Sequence, residues 1–87
     1  MDALSEIKKM LDSEKLIIGA EESLKALRDG TLEKVFLSTN PKPELKADIE
    51  RYAEIASVEV IGLSIPNNEL SVVCKKPFPI SVIGLRK

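Results

Sequence analysis

The chain has no histidine and only one cysteine, Cys74, among its 87 residues. A single cysteine forbids an intramolecular disulfide. Without histidine, the usual zinc ligand sets and the Ser-His and Cys-His nucleophile pairs are ruled out. Long apolar runs are missing too: the longest are a few residues, against the roughly 20 needed to cross a bilayer, so no membrane partner is expected. The opening Met-Asp-Ala-Leu-Ser carries neither a basic n-region nor an apolar h-region. No secretory signal is read there, and a cytoplasmic protein is the expectation. Linkers, internal repeats and low-complexity tracts are absent, which predicts one domain over residues 1–87.

A basic excess is lacking as well. Thirteen Lys and Arg face 14 Asp and Glu, for a net charge of −1 and a pI of about 5.5. Phosphate neutralisation dominates nucleic-acid affinity, so these totals weigh mildly against a polyanionic partner. Charge gathered on one face matters more than the sum.

What is present is alternation. Leu4, Ile7 and Leu11 at helical spacing predict an amphipathic helix over 2–12. Lys15–Ile18 reads as a short buried strand ending at Gly19. A second helix follows with Ala20, Leu24 and Leu27 on one face, Glu21 and Glu22 in its first turn and Gly30 as its C′ residue. Lys34–Ser38 is a second strand. Two prolines in three residues then force a loop at Thr39–Pro43. Pro43 suits the first turn of a third helix, to Ala56, whose inner stripe is Leu45, Ile49, Tyr52, Ala53 and Ala56. Val58–Gly62 is a third strand, Asn67 or Asn68 caps a fourth helix through Val73, and Ile80–Leu85 is the last strand. The order α-β-α-β-α-β-α-β predicts an α/β fold, a sheet with helices on both faces.

Three strand-to-helix connections carry candidate chemistry. At Gly19–Lys25 the N–H groups of a helix start can receive phosphate oxygens, with Lys25 a turn further on. An ordinary connection with a surface lysine explains the same residues. Lys42 and Lys46 flank Pro43 on a stiff loop, where solvated lysines are common. Residues 65–71 mix small apolar groups with the amides of Asn67 and Asn68, which can read base edges or support an unstacked base, or else merely open a helix. Connections after the first three strands gather at one sheet edge, where ligands of open α/β sheets bind. The acidic pairs Glu21-Glu22 and Asp48/Glu50 have no partner nucleophile, so no catalytic residue, metal or cofactor is expected. Cys74 reads as a buried structural thiol.

These segments resemble a known family. Gly19, then Ser23-Leu24-Lys25-Ala26-Leu27, is similar to a Gly-x-x-x-Thr-Leu-Lys-Ala helix start. Lys34–Asn40 resembles Lys-Leu-Val-Ile-x-x-Asn. Lys46–Ala53 resembles Lys-Ser-Glu-Ile-Glu-Tyr-Tyr-Ala. Asn67-Asn68-Glu69-Leu70 with Cys74–Phe78 resembles Asn-Asn-x-Glu-Leu-Gly-x-x-Cys-Gly-Lys-Pro-Phe. All four belong to the ribosomal superfamily of the L-thirty-e, L-seven-Ae and S-twelve-e proteins, and the likeness runs from about residue 15 to 85. The resemblance implies a three-layer α/β/α sandwich on a mixed four-stranded sheet. It implies binding of kink-turn or related structured RNA, ribosomal RNA and the ribosome being candidate partners, by a monomer with no enzymatic role. Carried over position by position, its RNA contacts are Gly19, Ala20, Glu22, Lys25, Asn40, Lys46, Glu69 and Leu70. The chain departs from the pattern at Glu21, where lysine or asparagine is common, and at Ser71 and Lys75, where glycine stands. Those departures and the acidic pI leave a second reading open, a protein-interaction module that kept the fold and lost RNA affinity.

Overall fold

The long stripe on residues 43–56 and the apolar triplets on either side of the glycines fold as their periods demand. A computed structural model describes residues 3–11 and 13–87. Its elements are α1 (Ala3–Met10), β1 (Leu16–Ile18), α2 (Ala20–Arg28), β2 (Leu32–Leu37), α3 (Pro43–Ala56), β3 (Glu59–Gly62), α4 (Asn67–Val73) and β4 (Val82–Arg86). Residues 2 and 12, the expected ends of the first helix, lie outside the described residues.

The sheet order is β1-β4-β2-β3. β2 and β3 are parallel, while β4 runs antiparallel to both β1 and β2. The sheet is therefore mixed, and the carboxyl ends of β1, β2 and β3 share one edge with the start of β4.

Alternation along the strands splits the core in two. Ile17, Leu32, Val35, Leu37 and Val82 pack with Ala26 and Leu27 of α2 and with Ile49 and Ala53 of α3. Phe36, Ile83 and Leu85 pack on the other face with Ile7 of α1 and Leu70 of α4. The result is a three-layer α/β/α sandwich. The inner stripe read on α3 lies wholly in the first cluster, which also gathers Leu45, Tyr52 and Ala56.

Several boundaries differ from the sequence reading, most by one residue. β2 begins at Leu32, two residues earlier than expected, because a bulge between Leu32 and Lys34 interrupts the ladder with β4. The extra residue turns Leu32 onto the α2/α3 face and hides the two-residue period. It also leaves Lys34 on the α1 face, where its ammonium meets Glu6 at 3.2 Å. β4 starts at Val82 instead of Ile80. Asn67 and Asn68 are inside α4, and the residue at its N-cap is Pro66.

Helix ends follow local chemistry. Gly30 at φ 73° takes the expected C′ place, with its N–H on Leu27 O and Thr31 N–H on Ala26 O. Ser57 and Lys75 hold the same left-handed conformation, both at φ 57°, without being glycine.

Candidate nucleic-acid interface

Parallel β1, β2 and β3 deliver their outgoing loops to one rim, and backbone hydrogen bonds join these loops. Gly19 N–H donates to Val82 O at 3.1 Å and Ser38 N–H to Ser81 O at 2.9 Å. Thr39 N–H donates to Ile65 O at 2.9 Å, and Ile80 N–H to Asn67 O at 3.2 Å. Gly19, Asn40 and Asn67, far apart in sequence, thus belong to one surface.

Gly19 has φ 118°, which a residue with a Cβ adopts only under strain, although there is open space where a Cβ would sit. It is the N-cap of α2 and has no capping side chain. Among the described residues no acceptor in the chain meets the N–H groups of Ala20, Glu21 and Glu22. Those groups and the positive end of the helix dipole face outward at the rim.

Asn40 connects the second loop to the third. Its Oδ1 accepts from Asn67 N–H at 2.9 Å and from Ser38 Oγ at 3.3 Å, while its Nδ2 donates to Asn67 Oδ1 at 3.3 Å. The cap of α4 is thus supplied from 27 residues away. Asn68 and Glu69 are exposed. The Leu70 side chain is fully buried in one cluster with Ile83 and Phe36, which leaves only its backbone for a contact at the rim. Helical direction points it at the sheet while its neighbours Asn68 and Glu69 point outward.

Lys25 is exposed on the flank of α2, lining a groove with Glu21, Glu22, Arg28, Asp48 and Tyr52. This part of the surface mixes both signs of charge. Arg51 pairs with two of these residues, Asp48 at 3.4 Å and the Tyr52 ring at 5.1 Å. Lys42 and Lys46 are exposed at the start of α3, and neither forms an ion pair among the described residues.

Phe78, half exposed, was not singled out from the sequence. It follows Lys75 and Lys76 in the α4–β4 loop, which is tied to the rim through Ile80. The available signal was an aromatic between two prolines, outside any helix or strand period. Beneath this loop Cys74 is buried, and loss of solvent pushes its thiol pKa up despite the opposing charge of Lys76.

Over residues 1–87 the chain matches the family described as ribosomal protein L7Ae/L30e/S12e/Gadd45. It is 33% identical over 81 residues to "Large ribosomal subunit protein eL30" of Sulfurisphaera tokodaii, covering 93% of this chain and 76% of that protein. With the protein of the same name from Methanosphaera stadtmanae it shares 31% identity, covering 100% of this chain and 89% of that one. Among solved structures, the Giardia lamblia 15.5kD RNA binding protein superposes with a TM-score of 0.82 at 22% identity, over 100% of this chain and 77% of that one. A Bacillus halodurans protein of unknown function superposes with a TM-score of 0.84 at 21% identity, over 97% and 83% of the two chains. The four-motif order, the mixed sheet and these relatives agree: the chain belongs to the ribosomal protein L7Ae/L30e/S12e/Gadd45 family.

Proposed function

We propose that this protein binds structured RNA of the kink-turn or a related bent type, ribosomal RNA included, through the rim made by the loops after β1, β2 and β3. It does so as a cytoplasmic monomer without catalysis. The observation that carries this reading is the hydrogen-bonded union of the three loops around an uncapped helix start. Support comes from the eL30 relatives, which are ribosomal proteins by name, and from the Giardia neighbour, an RNA binding protein by name.

The division of labour follows from chemistry. The N–H groups of Ala20, Glu21 and Glu22 receive phosphate oxygens, and Gly19 lets the backbone come close. Lys25, Lys42 and Lys46 supply the salt-sensitive attraction. Glu22 and Glu69, exposed beside the rim, accept hydrogen bonds from base amino groups. Asn67 and Asn68 meet edges of bases displaced from the bend, and Phe78 offers a ring for one to stack on.

Filter binding of a kink-turn RNA beside an unbent duplex of the same length tests this. Submicromolar, salt-sensitive preference for the bent RNA is expected. Absence of binding at about 50 mM salt, where phosphate contacts are strongest, sinks it. That result would favour the protein-interaction reading, for which Glu21, Glu22 and Asp48 around Lys25 speak.

A further inference from the structure

On the α1 side of the sheet a hollow of about 280 Å³ is lined by Lys8, Leu11, Ile18, Cys74, Lys75 and Lys76. Three of its six lining residues are lysines, and among the described residues no carboxylate lines it. None of the three lysines forms an ion pair among those residues. Three ammonium groups around apolar walls repel one another, and a bound anion relieves that repulsion. The hollow adjoins the rim, because Ile18 immediately precedes Gly19.

Lys75 adds a second observation. It holds φ 57°, where its N–H closes on Val72 O at 3.1 Å and Lys76 N–H on Ser71 O at 2.9 Å. Glycine suits such a helix end without strain, whereas lysine does not. This turn brings Lys75 into the lining of the same hollow as Lys8 and Lys76.

The geometry points to a second phosphate-binding site, formed by Lys8, Lys75 and Lys76, that takes a backbone phosphate of the RNA strand as it leaves the rim past Gly19. This rests on the RNA-binding reading, and it extends the contact surface from the α2/α3 side to the α1/α4 side. Phosphate is the shared chemistry, so a free phosphate ion is the other source the site can draw on.

The test compares the wild-type chain with a K8A/K75G/K76A variant. Lys75→Gly removes charge while relieving the positive φ, so folding is not put at risk at that position. Kink-turn RNA binding is measured across salt, and inorganic phosphate is titrated into both proteins by amide NMR. The variant is expected to bind RNA roughly tenfold more weakly at low salt, with a salt slope smaller by about 2 to 3 and an unchanged preference for bent RNA. Wild-type affinity and slope in the variant overturn the site. If the wild-type chain binds no RNA, the rim reading fails alone and the phosphate titration decides. Amide shifts at residues 74–76 that vanish in the variant support a free-phosphate site, and their absence overturns it.

Discussion

The Oδ1 atom of Asn40 accepts the backbone N–H of Asn67 at 2.9 Å, so a loop residue after β2 caps the helix that follows β3. This bond makes the second and third loops one unit. Asn40→Ala is expected to cost about 1–2 kcal/mol, the range of a lost helix cap. Asn67→Ala removes only the 3.3 Å side-chain contact and keeps the capped N–H, so it costs less. Urea unfolding of both variants checks the order, and equal losses would argue against the cross-loop cap.

Ser23 and Gly84 meet under α2. Ser23 is wholly buried and, among the described residues, its Oγ has no hydrogen-bond partner. An unpaired buried hydroxyl bears its full desolvation cost, so Ser23→Ala is expected to stabilise by about 1 kcal/mol. A Cβ at Gly84 would lie 3.0 Å from Leu32 Cδ1 and 3.3 Å from Ser23 Oγ. Gly84→Ala therefore overpacks the first core and is expected to lose about 1–3 kcal/mol. Thermal unfolding distinguishes the two signs.

Ser57 closes α3 and Lys75 follows α4, both at φ 57°. Glycine takes that conformation without a Cβ clash, although its freer unfolded chain offsets part of the gain. Each of Ser57→Gly and Lys75→Gly is expected to raise stability by roughly 0.5–1 kcal/mol. Gly30→Ala, at φ 73°, is expected to do the reverse.

Burial raises the Cys74 thiol above its ordinary value, so the folded chain holds that proton more tightly than the unfolded one. Above about pH 8.5 the unfolded thiol ionises first, the unfolded state binds fewer protons, and stability falls as pH rises toward the folded value. Lys34, raised chiefly by its hydrogen bond to Glu6, adds a loss of the same sign, beginning near pH 10.4. Cys74→Ala should flatten the lower window and leave the upper one. Modification of Cys74 by a thiol reagent should be slow in the native chain and fast in denaturant.

Lys25 and Leu70 separate contact from packing. Lys25→Ala, an exposed change, should leave stability within about 0.5 kcal/mol and lower the salt slope of RNA binding by about one. Leu70→Ala empties part of the second core and should cost about 2–5 kcal/mol, with RNA affinity restored wherever the variant is folded. A stable Leu70→Ala that had lost RNA binding would return this residue to the interface.

Local chemistry made several elements legible. Pro43 at the first turn and five apolar residues at helical spacing marked α3 from end to end, and Gly19 and Gly30 bracketed α2. The start of β2 was hidden because the bulge at Glu33 breaks the two-residue period there. The α4 cap was hidden because its acceptor belongs to Asn40, which no local pattern connects to Asn67. A pattern of letters does not say which way a helical side chain points, so the burial of Leu70 beside exposed Asn68 and Glu69 is visible only in the fold.

The sequence by itself determined which residues are apolar, where the chain turns and which chemistry its side chains lack. These depend on neighbours within a few residues, through period, backbone preference and composition. Only the tertiary structure decided that β4 lies between β1 and β2, that three loops close into one rim, and that Lys8, Lys75 and Lys76 line one hollow. Those facts depend on which distant surfaces bury each other, a choice made by packing two cores on opposite faces of one sheet.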